Sequence, residues 1–327
     1  MNICYSLFDY TGLVSILSLF NAEKIDSESI HLYVLFDERG PTLVPYLERI
    51  VSQYHVKLTL LDARLINTFC EAHGIPAWQG HYLTYARLYL SVLCPNVDRM
   101  IYVDSDTLVL KSLKELWSFD LKGKALGAVH EVSYYDVSYN NDQIGPNLSE
   151  TMNAGVLLMD LNRLRKIGLV SNFLQRGGNV LKSGGTDQDF LNEALIGDVA
   201  YIPLVYNSYA LIRAFPYHAY KKHTIAFERY SKSQFCAAQR HPTIAHFNAT
   251  AYDRPWYQDN CCRYSHKRRS LYKIIFHHRF TPVSLPSGHG FSTRVYRKLR
   301  FFISRCLPLS LSYAIVRRLK PVHHSSK

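Results

Sequence analysis

The chain has 327 residues, of which 47% are hydrophobic and 20% charged, and no low-complexity tract dominates it; a disulfide-stapled mini-protein and a wholly disordered chain are both excluded. Its net charge of +12 is gathered at one end: from Asn260 onward there are 15 Lys or Arg and no Asp or Glu, whereas the first 259 residues hold 23 basic and 26 acidic side chains. A near-neutral body with a basic tail points to an attachment device rather than a nucleic-acid-binding domain.

In chain order, apolar and β-branched runs at Ile3–Leu7, Ile30–Phe36, Val56–Leu61 and Met100–Val103 predict strands. Helical patterns near Gly12–Ala22, Pro41–Tyr54 and Leu83–Leu93 lie between them, and this alternation predicts a parallel α/β sheet. Asp9 interrupts the apolar start, so Leu13–Phe20 reads as part of a core helix and not as a signal peptide. Val132–Met152 is polar, tyrosine-rich and without periodicity, the composition of a long loop or lid. Ala154–Met159 predicts a further buried strand, and helical patterns follow to about Leu181. Gly184-Gly185 then leads into Thr186-Asp187-Gln188-Asp189, where Thr186 is placed to cap a helix. The seven cysteines form no CxxC pair and no zinc-like spacing, as expected of reduced, cytosolic thiols. No run approaches the roughly 18 to 20 apolar residues of a membrane span.

Ligands of α/β sheets bind beyond the C-terminal ends of the strands. The first strand runs into Leu7-Phe8-Asp9-Tyr10-Thr11-Gly12, whose one glycine disfavours a dinucleotide-binding turn. The fourth ends in Asp104-Ser105-Asp106-Thr107, where a curl at the strand end brings two carboxylates to one cation. Hard oxygen ligands suit Mg²⁺ or Mn²⁺. By itself the triplet describes a solvated turn equally well.

The triplet has company. Thr84-Tyr85-Ala86-Arg87-Leu88, Tyr102 to Asp106 with Leu113–Trp117 behind it, Asn153-Ala154-Gly155-Val156-Leu157, Asp187-Gln188-Asp189 with Leu191-Asn192, and a late His246 resemble glycosyltransferase family 8, in family order over about residues 1–258. Within it the chain is similar to bacterial lipooligosaccharide and lipopolysaccharide galactosyl- and glucosyltransferases. The resemblance implies a GT-A fold, a Rossmann-like α/β architecture for nucleotide-diphospho-sugar transfer. It also implies a UDP-hexose donor, a Mn²⁺ (or Mg²⁺) ion and transfer with retention to a glycan or glycolipid acceptor. Position by position, Asp104, Asp106 and His246 match the metal ligands. Ser6, Asp9, Arg87, Ser105, Asn153 and Ala154 match donor-binding positions, and Asp187 and Gln188 match the pair beside the anomeric carbon. Two departures stand out. Phe8 precedes Asp9 where two acidic residues are common, and Arg254 replaces the lysine ahead of Pro255-Trp256, where it can still clamp a phosphate.

Residues 1–258 are thus expected to form the catalytic domain and 259–327 a basic, mainly helical extension. If Thr293–Cys306 is helical, Val295, Leu299, Phe302 and Cys306 share one face, the pattern of an interfacial amphipathic helix. Such a tail would dock on an anionic membrane, giving a cytoplasmic protein peripheral to the inner face of the cytoplasmic membrane, with no nucleic-acid partner. A second enzyme class competes. An apolar strand followed by Asp104-Ser105-Asp106-Thr107-Leu108 also resembles a haloacid-dehalogenase-type phosphatase, with Asp104 as nucleophile and Asp106 as general acid. That reading requires the strand near the N-terminus and a later lysine and acidic pair, a series not evident here.

Overall fold

The computed structural model describes residues 1–23, 30–38, 40–78, 80–131, 151–209, 212, 217–218 and 229–248. The tail 259–327, Arg254 and all of the stretch Val132–Met152 except its last two residues lie outside them. The described strands are β1 (Asn2–Ser6), β2 (His31–Phe36), β3 (Lys57–Asp62), β4 (Arg99–Val103), β5 (Thr107–Val109), β6 (Leu126–His130), β7 (Met152–Asp160), β8 (Val199–Tyr201) and β9 (Ile244–His246). Seven of them form one sheet in the order β3-β2-β1-β4-β7-β6-β8, and β5 pairs with β9 in a second, two-stranded sheet.

One expectation is corrected. The large sheet is not wholly parallel, because β7 runs antiparallel to both β4 and β6 while the other six strands point one way. Strand-helix alternation reports connections, and an antiparallel neighbour needs no helical crossover. The reversal brings the beginning of β7 to the edge where β1, β4 and β6 end.

The sheet divides the core by the two-residue period of its strands. Ile3, Tyr5, Ile101 and Val103 face one cluster, which is filled by α1 (Tyr10–Glu23) and α2 (Gly40–Tyr54). Cys4, Met100 and Tyr102 face the other, filled by α3 (Arg64–Ala72) and the helices Leu161–Lys166 and Asp187–Ala194. The predicted helix Leu83–Leu93 is present as a 3₁₀ turn, Leu83–Tyr89, continuing into a short α-helix, Leu90–Leu93. The described cysteines Cys4, Cys70, Cys94 and Cys236 are free thiols. No helix among the described residues is long and apolar enough to cross a membrane.

Two features lock the Asp-Ser-Asp turn into this frame. Gly12 allows the first turn of α1 to press against it, since a Cβ there would lie 2.8 Å from Leu7 Cδ1 and 3.2 Å from Ser105 Cβ. Ser15 and Ser18, buried on the same helix, supply the polar contacts: Ser15 Oγ lies 2.7 Å from Thr107 Oγ1, and Val109 N–H donates to Ser18 Oγ at 2.9 Å. The turn is held from behind by hydrogen bonds a leucine-only helix could not make.

On the other face, Phe173 is fully buried among Tyr85, Tyr89 and Phe190, with ring centroids 5.4, 6.1 and 5.0 Å away. It ties the turn that carries Arg87 to the helix that carries Asp187. Phe173→Ala is expected to lower unfolding free energy by about 3–5 kcal/mol through the cavity it leaves, which urea denaturation followed by circular dichroism would measure.

Candidate active site

Three sequence-distant elements meet at the C-terminal end of β4. Asp104 N–H donates to the Gly155 carbonyl of β7 at 2.8 Å, and Phe247 N–H donates to the Asp106 carbonyl at 2.9 Å. The β5–β9 ladder sets His246 opposite Thr107, the residue after Asp106. Asp104, Asp106 and His246 therefore converge, each offering a ligand atom within 4.8 Å of the others. His246 Nε2 lies 3.1 Å from Asp106 Oδ1 and 3.7 Å from Asp104 Oδ2. Two carboxylates and an imidazole form a donor set suited to Mn²⁺ or Mg²⁺. The residues fit the ion that the sequence implies.

The start of β7 is built to serve this edge. Its pairing with β6 jumps between Ala128↔Leu157 and Val129↔Asn153, so Ala154, Gly155 and Val156 bulge out of that ladder. Bulging releases backbone groups from strand pairing, and the site uses them. Ala154 N–H donates to Gln188 Oε1 at 2.9 Å, Gly155 N–H donates to Asn153 Oδ1 at 3.0 Å, and the Ala154 carbonyl accepts from Arg87 at 2.6 Å. At Gly155 a Cβ would stand 2.1 Å from His246 Cε1 and 2.6 Å from its Nδ1. Only glycine lets the imidazole lie where it does.

Arg87 is the one buried lysine or arginine among the described residues. Its guanidinium contacts Asp104 Oδ1 at 2.9 Å and Asp187 Oδ2 at 3.0 Å, and stands 4.6 Å over the Tyr102 ring. Burial works to lower its pKa, but Asp104, Tyr102 and Asp187 outweigh that and hold it above the ordinary arginine value. Burial raises Asp104 above the usual carboxylate range against the pull of Arg87 and His246, and raises Asp187 likewise against Arg87. The cluster is thus costly to charge and is poised to accept compensation.

Asp187 and Gln188 open the helix Asp187–Ala194, where Thr186 is the N-cap in a capping box with Asp189. Asp189 is consumed by that cap. This frees Asp187 for Arg87 and Gln188 for Ala154. Ser6 is fully buried, 3.1 Å from the Tyr102 hydroxyl, which also lies 3.0 Å from Asp104 Oδ1. Asp9 is exposed and accepts hydrogen bonds from the Thr11 N–H, at 2.7 Å, and hydroxyl at the start of α1. Ser105 sits at the turn's outer edge against Gly12. Arg254 lies outside the described residues.

Two residues of the cluster belong to no motif. Glu131, one residue past β6, accepts a hydrogen bond from Asn153 Nδ2 and lies 3.5 Å from Gln188 Nε2. Its signal was the rule that strand ends carry ligands, obscured because Leu126–His130 contains Gly127 and Ala128 and gives a weak strand pattern. Asn207, fully buried, joins Asn153 to His246. No local pattern marks it.

The fold and site place the chain among the GT-A glycosyltransferases. A family model for glycosyl transferase family 8 matches residues 10–260, and the chain belongs to that family. A putative glycosyltransferase of Haemophilus influenzae is 29% identical over 211 residues, covering 62% of this chain and 61% of its own length. Glycosyltransferase GlyF of Streptococcus pneumoniae is 28% identical over 255 residues, covering 76% of this chain and 55% of its own. This chain thus spans somewhat over half the length of these two relatives. Among solved structures, the galactosyltransferase LgtC in complex with donor and acceptor sugar analogs superposes with a TM-score of 0.65 at 22% identity. That match covers 86% of this chain and 98% of the other. The phosphatase alternative finds no support in these likenesses.

Replacing Gly155 by Ala should displace the His246 ring, weaken Mn²⁺ binding about tenfold and cost about 1–3 kcal/mol of stability. Gly127→Ala, whose Cβ would meet Leu121 Cδ2 at 2.9 Å away from the site, should cost stability without changing ion affinity. Isothermal titration and thermal melts on the pair separate the two effects.

Proposed function

We propose that this chain is a Mn²⁺-dependent, retaining hexosyltransferase. It would move galactose or glucose from a UDP-sugar to a glycan acceptor on a lipooligosaccharide, lipopolysaccharide or related cell-surface glycolipid. The observation that carries the reading is the convergence of Asp104, Asp106 and His246 beside Asp187 and Gln188 in a family 8 chain. The likeness to LgtC, solved with donor and acceptor sugar analogs, supports a donor and a glycan acceptor.

A divalent ion held by Asp104, Asp106 and His246 would neutralise charge on a bound diphosphate. The chain's own residues do the rest. On this reading Asp9 holds the nucleoside, with the Ser105 backbone facing it, while Ser6, fully buried, supports the site from behind through the Tyr102 hydroxyl. Arg87 and Asp187 fix sugar hydroxyls, and Asn153 and Ala154 line the sugar. Arg254 clamps the diphosphate.

Gln188 is held by the Ala154 N–H, and its neutral amide makes it a poor nucleophile. Retention is then achieved by same-face attack. The acceptor oxygen forms the new bond to the anomeric carbon as the bond to the phosphate oxygen breaks, and that phosphate oxygen takes the acceptor's proton. The uncharged amide offers a dipole on the face opposite the leaving group, which suits a carbon acquiring positive character.

Release of UDP from UDP-galactose, UDP-glucose and UDP-N-acetylhexosamines, with and without Mn²⁺, tests the reading. Metal-dependent turnover of one donor, reduced by about a hundredfold or more in Asp104→Asn and giving a product of unchanged anomeric configuration by NMR, is expected. Phosphatase activity without any turnover of UDP-sugars would overturn it.

The basic segment 259–327 would dock the enzyme at an anionic, cytoplasmic-facing membrane where a glycolipid acceptor resides. Each Lys or Arg near such a surface adds about 1 kcal/mol of attraction. Co-sedimentation with phosphatidylglycerol vesicles should be strong at low salt and fall steeply as salt rises. Equal binding to neutral vesicles would count against electrostatic docking.

A further inference from the structure

Asn207 closes the 3₁₀ turn Leu204–Asn207 and is fully buried, with its amide spanning from Asn153 to His246. The direction of every hydrogen bond along this path can be assigned, because the path begins at a backbone donor. Gly155 N–H donates to one side-chain atom of Asn153 at 3.0 Å, so that atom is the carbonyl oxygen, Oδ1. Asn153 Nδ2 is thereby turned to the Glu131 carboxylate, an acceptor. Asn207 approaches the same Asn153 Oδ1 at 2.6 Å. It must do so with its Nδ2, since two oxygens at that distance would repel. Its own Oδ1 then faces His246 Nδ1 at 2.9 Å, and that nitrogen must carry a hydrogen.

We propose that the chain Glu131–Asn153–Asn207 locks His246 in its Nδ1–H tautomer, making Asn207 a positioning residue for divalent-cation binding. In the neutral ring the lone pair then resides on Nε2, 3.1 Å from Asp106 Oδ1 and 3.7 Å from Asp104 Oδ2, so three acceptor atoms converge on one place, which a cation, or in its absence a second ring proton, must fill. Were the tautomer reversed, Nε2 would present a hydrogen to the ion and Nδ1 would set a lone pair against the Asn207 oxygen. Packing cooperates, because the missing Cβ of Gly155 leaves the ring its place. Partners one bond behind a ligating histidine commonly alter metal affinity by about 10–100-fold. Here the partner is a neutral amide, itself held by a second amide and a carboxylate. The orientation is therefore built into the fold before any ion arrives. The inference rests on the divalent-cation reading of the site, and its test separates the two.

The first measurement is the ¹⁵N spectrum of histidine-labelled protein without metal, at a pH where the ring is neutral, with the His246 signals identified by their loss in His246→Gln. Protonated Nδ1 and unprotonated Nε2 are expected. The second is Mn²⁺ affinity in the presence of UDP, measured by electron paramagnetic resonance. Asn207→Ala should bind about tenfold or more weakly and show mixed tautomers. Ser208→Ala, which loses a hydroxyl bond to the Ala238 carbonyl at 2.7 Å, should keep wild-type affinity. A structural effect alone would lower both melting points without separating their affinities.

An Nε2–H ring in the wild-type protein overturns the lock whether or not the alanine variant folds, and so does wild-type affinity in a folded Asn207→Ala. Failure of the wild-type protein to bind Mn²⁺ beside an Nδ1–H ring would instead overturn the cation reading and leave the tautomer assignment standing.

Discussion

Burying several carboxylates at one edge of a sheet is the constraint on which this structure turns, and Arg87 is what meets it. Asp104 and Asp187 come from different elements and would repel each other across the site if nothing lay between them. A buried pair broken by loss of one partner typically costs about 3–5 kcal/mol, and here one guanidinium serves two anions. Arginine suits the position better than lysine because its planar fork also reaches the carbonyls of Thr84 and Ala154. The same side chain thereby fixes the 3₁₀ turn before β4, the first turn of the helix after the glycine pair, and the start of β7. Electrostatics and architecture are solved by one residue.

The second half of the solution is the reversal and bulge of β7. A parallel strand at that place would bring its C-terminal end to the site, and its backbone groups would be used up in pairing. Running backward, β7 delivers Asn153, Ala154 and Gly155 beside Asp104, and the bulge frees their N–H and C=O groups for Gln188, Asn153 and Arg87. Side chains alone do not make this site. The peptide units that escape the ladder orient Arg87, Asp104, Asn153 and Gln188 around it.

The same division governs how much of the molecule was legible in the sequence. The strands β1 to β4 and β7, the helices α1 and α2, the helix start capped by Thr186 and the Asp-Ser-Asp turn carry local patterns, and they appear within a residue or two of their expected positions. β5, β8 and β9 are three residues each, too short for alternation to register. The direction of β7 is not written in periodicity at all, because inward and outward alternation is the same read either way. Asp104, Arg87, Asp187 and His246 could be singled out by their motifs. Glu131 and Asn207 could not, since a lone carboxylate or amide has no spacing to recognise and acquires its meaning only when distant elements meet. The resemblance marked Asn153 as lining the sugar, and the structure adds protein partners on both ends of its amide.

The charge distribution also bears on how a donor would enter. Asp104 and Asp187 pair with the buried Arg87, while Asp106 and Glu131 lie on other partners of the same site, so a diphosphate approaching alone meets a surplus of like charge. On the proposed function, a divalent ion and the nucleotide each remove the other's main electrostatic penalty, and linkage then requires that each raise the other's affinity by the same factor. The basic excess of the chain lies elsewhere, in residues 260–327. On the proposed function, attraction to an anionic surface and selectivity for a metal-bound donor would fall to separate parts of the sequence, the first to the basic segment and the second to the carboxylates and imidazole at the end of β4.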